Sequence, residues 1–280
     1  MSVSATSPLV TTDWLTEHLA DPDVIVAEVD ENPDLYEEGH IPGAVKLHWK
    51  DDLQDPLVRD VVSSSAFEQL MGELGIGNDT TVVLYGDKNN WFAAYAYWYL
   101  KVFRHDDVRL LDGGRQKWIE EGRELTAAAS TPIPTAYTAR DRDESIRIRR
   151  DEVLAGLGAP RIALVDVRSP QEFAGELVAP PGYEQEGASR TGHIPGAQSI
   201  PWATAVRDDG TFKTVDELEE IYAAKGITPE KEIRAYCRIG ERSAHTWFVL
   251  QELLGYENVR NYDGSWTEWG NLVDVPIERP

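Results

Sequence analysis

One eleven-residue phrase occurs twice in this 280-residue chain: GHIPGAVKLHW at Gly39–Trp49 returns as GHIPGAQSIPW at Gly192–Trp202. A turn block of that length, shared down to its Gly-His-Ile-Pro-Gly-Ala core, marks an internal duplication. Further pairs keep one offset of 151 residues: Ile76 with Ile227, Tyr85 with Tyr236, Asp112 with Asp263 and Trp118 with Trp269. The chain is therefore restricted to two copies of one domain, as its length also favours.

Each copy reads as a short apolar strand (Val24–Val29; Ile162–Val167), the repeated turn, a helix, a second strand, a long helix and a third strand. Strands alternating with helices require a parallel sheet covered on both faces, so the fold class is α/β, a tandem duplication with helices flanking each sheet. Ser65 with Glu68, and Thr214 with Glu217, have capping-box spacing at the starts of the first helices, and Gly75 and Gly226 stand where those helices stop. Thr126–Ser145 is rich in Ala, Thr and Pro and lacks a period, as a linker does. The expected division is 18–125 for the first domain, 126–153 for the linker and 154–274 for the second domain.

Hydrophobic residues at 41%, with nine tryptophans and eleven tyrosines, describe a globular protein with real cores. The single cysteine excludes an intrachain disulfide framework and a zinc site of several thiolates, and is most easily kept reduced in the cytosol. The first twenty residues lack a basic region and a continuous apolar core, and no apolar run approaches the ~20 residues of a membrane helix, so a cytoplasmic location is expected. A formal charge of −22 without a concentrated basic patch argues against nucleic acid and membrane partners. An anionic substrate would have to meet a locally positive site.

The two copies differ in two places. The segment from first strand to turn is 15 residues longer in the second copy, and its extra material, including VAPPGYEQEGASR, is long enough to wall a pocket. After the second strand the first copy reads YGDKNNW and the second YCRIGER, so Cys237 stands where the first copy has Gly86. A loop from strand to helix in a parallel sheet aims backbone N–H groups and the positive helix end at whatever lies beyond the strand. Cys237 to Arg242 is such a loop, with Gly240 allowing a tight reversal. Its environment is expected to lower the thiol pKa without a histidine base, and Arg238 and Arg242 to bind an anion. Read without that context, Cys237 is a small core residue and the arginines are solvated surface. His40 and His193, present in both copies, read as braces of the turn, and His245 as a packing residue.

The paired GHIPGA turns, DVRSPQEF at Asp166–Phe173, CRIGER at Cys237–Arg242 and YDGSWTEW at Tyr262–Trp269 together resemble a two-domain rhodanese, a thiosulfate sulfurtransferase, over nearly the whole chain. The resemblance implies tandem rhodanese-like domains, a non-catalytic first one and a catalytic second one whose cysteine takes the outer sulfur of thiosulfate as a persulfide, releases sulfite and passes the sulfur to cyanide or a thiol. It implies no cofactor and no metal, and leaves a protein sulfur acceptor open. Carried over residue by residue, Cys237 is the nucleophile and Arg242, Arg238 and Arg190 are candidate substrate ligands. The backbone at Ile239, Gly240, Glu241 and Ser243 cradles the persulfide, Asp166 and Arg168 support the loop, and Trp266 lines the entrance. Ile239, Glu241 and Arg242 depart from the Cys-Arg-Lys-Gly-Val-Thr loop of vertebrate-type enzymes, so a different cation must hold the sulfonate. Arg238 directly after the cysteine disfavours 3-mercaptopyruvate as donor. Two further alternatives stay open, a cysteine-dependent phosphatase, against which the four-residue spacing from Cys237 to Arg242 counts, and a non-catalytic rhodanese-like binding module.

Overall fold

The computed structural model describes residues 7–183 and 187–280, so Glu184, Gln185 and Glu186 of the long second-copy insert lie outside the described residues. The chain divides into two compact units, Met1–Asp143 with Val206–Phe212, and Glu144–Ala205 with Lys213–Pro280. The first holds strands β1 (Leu9–Val10), β2 (Val24–Glu28), β3 (Val45–Lys46), β4 (Thr81–Tyr85) and β5 (Val108–Leu111), in the order β1-β5-β4-β2-β3. The second holds β6 (Ile162–Asp166), β7 (Gln198–Ser199), β8 (Glu232–Tyr236) and β9 (Val259–Tyr262), in the order β7-β6-β8-β9. Every pairing between these strands is parallel, and the register repeats: Glu28 lies opposite Tyr85, and Asp166 opposite Tyr236. The fold is thus the expected α/β duplication. What the periodicity could not show are β1, β3 and β7, two-residue strands too short to alternate.

The helices are α1 (Thr12–His18), α2 (Leu35–Glu38), α3 (Ser64–Glu73), α4 (Asp87–Val102) and α5 (Gly114–Glu120) in the first unit. The second has α6 (Arg150–Ala155), α7 (Pro170–Ala174), α8 (Val215–Ala223), α9 (Glu241–Phe248) and α10 (Ser265–Trp269), with α9 running on into a π-helical turn, Val249–Leu253. Thr214 and Glu217 form the expected reciprocal cap at the start of α8. At α3 the expectation fails by two residues. Ser63 is the capping residue, its hydroxyl oxygen accepting from the Ala66 N–H, while Glu68 accepts from the Ala139 N–H in the segment after α5. A run of three serines offers three caps, and packing selects the one that places Phe67 and Met71 in the core. Among the described residues no helix is long and apolar enough to cross a membrane.

The repeated turn is bolted to the sheet the same way in both units. The Tyr85 hydroxyl accepts from the Ile41 N–H (2.9 Å), and the Tyr236 hydroxyl from the Ile194 N–H (3.0 Å). Each turn histidine stacks on an aromatic ring and donates from Nδ1 to a carbonyl: His40 on Tyr36, to the Tyr36 oxygen, and His193 on Phe173, to the Phe173 oxygen. Both histidines are braces, as their presence in both copies indicated.

Beneath the turns the charges are arranged differently. In the second unit Asp166 holds Arg168, two residues on, at 2.6 Å, and Arg168 also donates to the Gly192 carbonyl. In the first unit the cation comes from Arg115 of α5, which pairs with Glu28, and the place of Arg168 is taken by Asp30. Burial, then the hydrogen bond and charge of Glu28 and the charge of Asp87, push Asp30 up to about 9. A carboxyl that holds its proton when folded and loses it near pH 4 when unfolded destabilises the fold progressively as pH rises from about 4 towards 9. Asp30→Asn, which keeps the acceptor for the Asp87 N–H, is therefore expected to unfold at higher urea than the parent at pH 8 and at the same urea at pH 4; equal midpoints at pH 8 would refute the neutral buried acid.

The segment Val206–Phe212 lies within the second repeat by sequence, yet belongs to the first unit. Val206 bridges to Phe212, the Phe212 N–H donates to Asp112 (2.9 Å), and Asp209 pairs with Lys117 of α5 (2.9 Å).

Candidate active site

β8 ends at Tyr236 and α9 begins at Glu241, so Cys237 to Gly240 form the reversal between the central strand and its helix. Gly240 has φ 101°, and a Cβ there would stand 2.6 Å from the Asp263 Cα, so only glycine fits. The Gly240 N–H donates to the Cys237 sulfur at 3.1 Å. The loop is anchored from outside. The Cys237 N–H donates to the Ser265 hydroxyl (3.0 Å), while the Trp266 and Thr267 N–H groups at the start of α10 donate to the Cys237 and Arg238 carbonyls (3.0 and 2.9 Å). Asn261 of β9 donates to the Gly240 carbonyl (3.0 Å) and accepts from the Ser243 hydroxyl (2.7 Å). Ser265 holds its place at φ 52°, a left-handed conformation that costs energy for a residue with a Cβ.

Charge in the loop is balanced rather than positive. Arg242 makes a bidentate pair with Glu172 of α7 (2.9 and 3.0 Å), and both are buried. Arg238 reaches the other oxygen-bearing group of the loop, Glu241, at 3.4 Å, and lies under the Tyr183 ring (4.9 Å). Glu241 in turn accepts from the Cys237 thiol, with 3.4 Å between Sγ and Oε2. Cys237 has no exposed surface. Burial first, and then the Glu241 carboxylate, push its thiol above the ordinary value, against the opposing pull of Arg242 and the Ser243 N–H. The expected depression of the thiol pKa is thus overturned: the amides and arginines are present, but desolvation and a neighbouring carboxylate outweigh them.

Of the other residues singled out in the sequence, Ile239 and Gly240 lie in the loop and Glu241 and Ser243 in the first turn of α9, where the Gly240 N–H and the Glu241 carboxylate meet the sulfur. Arg190 is not an open anion ligand. Its guanidinium donates to the carbonyls of Trp269, Gly270, Leu272 and Val275, which makes it a clamp on the chain after α10. Trp266 is likewise interior, its indole N–H donating to the Arg190 carbonyl and its ring covering the Arg168 guanidinium at 4.4 Å. His245 is buried edge-on against Trp202. Sequence reasoning missed Glu172, Asn261 and Ser265; for Glu172 the signal was present, since Ser169 and Glu172 have capping-box spacing and do form that cap.

The equivalent loop of the first unit is filled by its own side chain. Lys88, Asn89 and Asn90 all have positive φ, which turns the Asn90 carboxamide inward to accept from the Gly86 N–H (3.0 Å) and donate to the Leu111 carbonyl (2.7 Å). A Cβ on Gly86 would stand 2.1 Å from the Val29 carbonyl oxygen, so no cysteine fits at that position. Among the described residues no cluster of His, Cys, Asp and Glu is placed to hold a metal.

The rhodanese-like domain model matches residues 11–121 and again 149–272, one match to each sequence repeat. The chain belongs to the rhodanese-like domain family. It is similar to a protein of Thermus thermophilus named "Sulfur carrier protein TtuD", 61% identical, with 97% of this chain and 96% of the relative aligned. It is also similar to a Saccharopolyspora erythraea protein named "Putative thiosulfate sulfurtransferase", 57% identical over 97% of this chain and 96% of the relative. Among solved structures, one of EanB with a cysteine persulfide, in a tetrahedral intermediate state with ergothioneine, superposes with a TM-score of 0.85 at 26% identity, covering 97% of this chain and 70% of that one. In this rhodanese-like pair, only the second loop carries a thiol.

Proposed function

We propose that this protein is a sulfurtransferase that carries sulfane sulfur as a persulfide on Cys237. Thiosulfate is the donor, sulfite the product, and cyanide or a thiol the acceptor. The observation that carries the reading is the sulfur itself, set at the end of the central strand with the Gly240 N–H aimed at it and the loop pinned from Ser265, Trp266, Thr267 and Asn261. A persulfide anion formed there is stabilised by preorganised donors that do not have to move. Arg238, paired with Glu241 in the same loop, takes the donor's sulfonate, whereas Arg242 holds the loop to α7 through Glu172. The relatives' names support this chemistry.

Intact mass after incubation with thiosulfate tests it. A gain of one sulfur, about 32 Da, that disappears when cyanide is added is the expected result. Gain with 3-mercaptopyruvate alone would move the donor, and no gain with either would remove the reading. The sulfur-carrier name of the Thermus thermophilus relative supports a second reading that changes only the acceptor, to a protein. Slow discharge by glutathione beside fast discharge by cyanide would favour the carrier.

A further inference from the structure

We propose that the Glu241 carboxylate is the proton acceptor of Cys237 in sulfur transfer, taking the thiol proton as the sulfane sulfur is attacked and returning it when the persulfide is discharged. The proposal rests on the sulfurtransferase reading but concerns a side chain that reading does not use. Glu241 Oε2 lies 3.4 Å from Sγ, both groups are buried, and no other carboxylate is hydrogen-bonded to the sulfur among the described residues. A thiol held above its ordinary pKa is protonated at neutral pH, and a protonated thiol does not attack. The base must therefore be local.

In the first half-reaction the S–H bond breaks to give Glu241 its proton. Sγ then bonds to the outer sulfur of thiosulfate, and the sulfur–sulfur bond of the donor breaks with its electron pair leaving on sulfite. In the second, the acceptor's nucleophilic atom bonds to the outer sulfur of the persulfide, the Cys237 thiolate leaves with the electron pair, and Glu241 gives its proton back. No oxidant or reductant is needed in either half. The charged and titratable groups facing the pair are Arg238 and Arg242 on the same loop, Glu172 from α7, and Asp263 after β9 with its partner Arg147. His245 lies one turn along α9. Arg238 donates to the far oxygen of the same carboxylate at 3.4 Å, which leaves Oε2 to the thiol.

A proton passed inside a buried pair is insensitive to bulk pH, whereas one lost to solvent is not, and this separates a base from a merely structural residue. The rate of persulfide formation in a single turnover with thiosulfate is expected to be flat between about pH 6 and 8 in the parent. In Glu241→Gln it should fall about tenfold for each unit of decreasing pH. Glu241→Asp, one methylene shorter, should restore the flat profile at a lower rate. Alkylation by iodoacetamide reads the same proton without any sulfur donor, and the chain has a single cysteine to report it. Parallel profiles for parent and Glu241→Gln in alkylation would overturn the proposal. If thiosulfate adds no sulfur to the parent while the alkylation profiles still diverge, the donor assignment fails and the role of Glu241 stands.

Discussion

Cys237→Ser takes up no sulfur from thiosulfate, and its turnover falls to the level of the uncatalysed reaction. An alcohol cannot hold a sulfane sulfur in a form that a second nucleophile can collect, and no second thiol exists in the chain to substitute. The smaller hydroxyl fits the buried site, where Glu241 and the Gly240 N–H remain as acceptor and donor, so the variant should fold like the parent. Intact mass distinguishes the outcomes directly: about 32 Da gained by the parent and nothing gained by the serine variant. A gain of one sulfur by Cys237→Ser would sink the persulfide mechanism, because the sulfur would then have to sit elsewhere.

Arg242→Ala destabilises the protein by about 3–5 kcal/mol at neutral pH, since it leaves the Glu172 carboxylate buried without its cation. Burial works to raise the pKa of Glu172, but the hydrogen bonds and charge of Arg242 outweigh it and hold the carboxyl below the usual range. The sign follows. A carboxylate with a depressed folded pKa contributes stability above its unfolded value of about 4.3 and loses that contribution as pH falls through the folded value. The gap between parent and Arg242→Ala in urea unfolding should therefore be widest near neutrality and close below about pH 4. Pairing Arg242→Met with Glu172→Gln, which removes both charges and keeps an acceptor for the Ser169 cap, is expected to recover more than half of the loss. A single variant as stable as the parent at pH 7 would show that the pair holds nothing together.

Much of this molecule is legible in its sequence because the duplication supplies two copies of the main strands, helices and turns. The parallel α/β duplication, the bracing histidines and the stop of α8 ahead of Gly226 all follow from comparing the copies. What escapes is whatever a side chain does away from its own segment. Ser169 and Glu172 spell a helix cap, yet the same carboxylate also clamps Arg242, seventy residues on, and nothing in the local pattern announces the second task. Arg190 stands beside the repeated turn as an anion ligand would, but four carbonyls claim its guanidinium. Glu241 reads in the sequence as one backbone unit of a cradle, and only its side-chain direction, set by the first turn of α9, puts a carboxylate against the sulfur. Counting charges likewise anticipates two arginines but not the two carboxylates folded onto them.

Because Val206–Phe212 belongs to the first unit, the chain passes from one unit to the other three times rather than once. A nascent chain emerging from the ribosome cannot complete the first unit when Asp143 appears; the partners of Asp112 and Lys117 are synthesised only with Asp209 and Phe212. By then β6 and β7 of the second unit are already outside. A cut at the linker therefore parts Asp112 and Lys117 from the residues that pair with them.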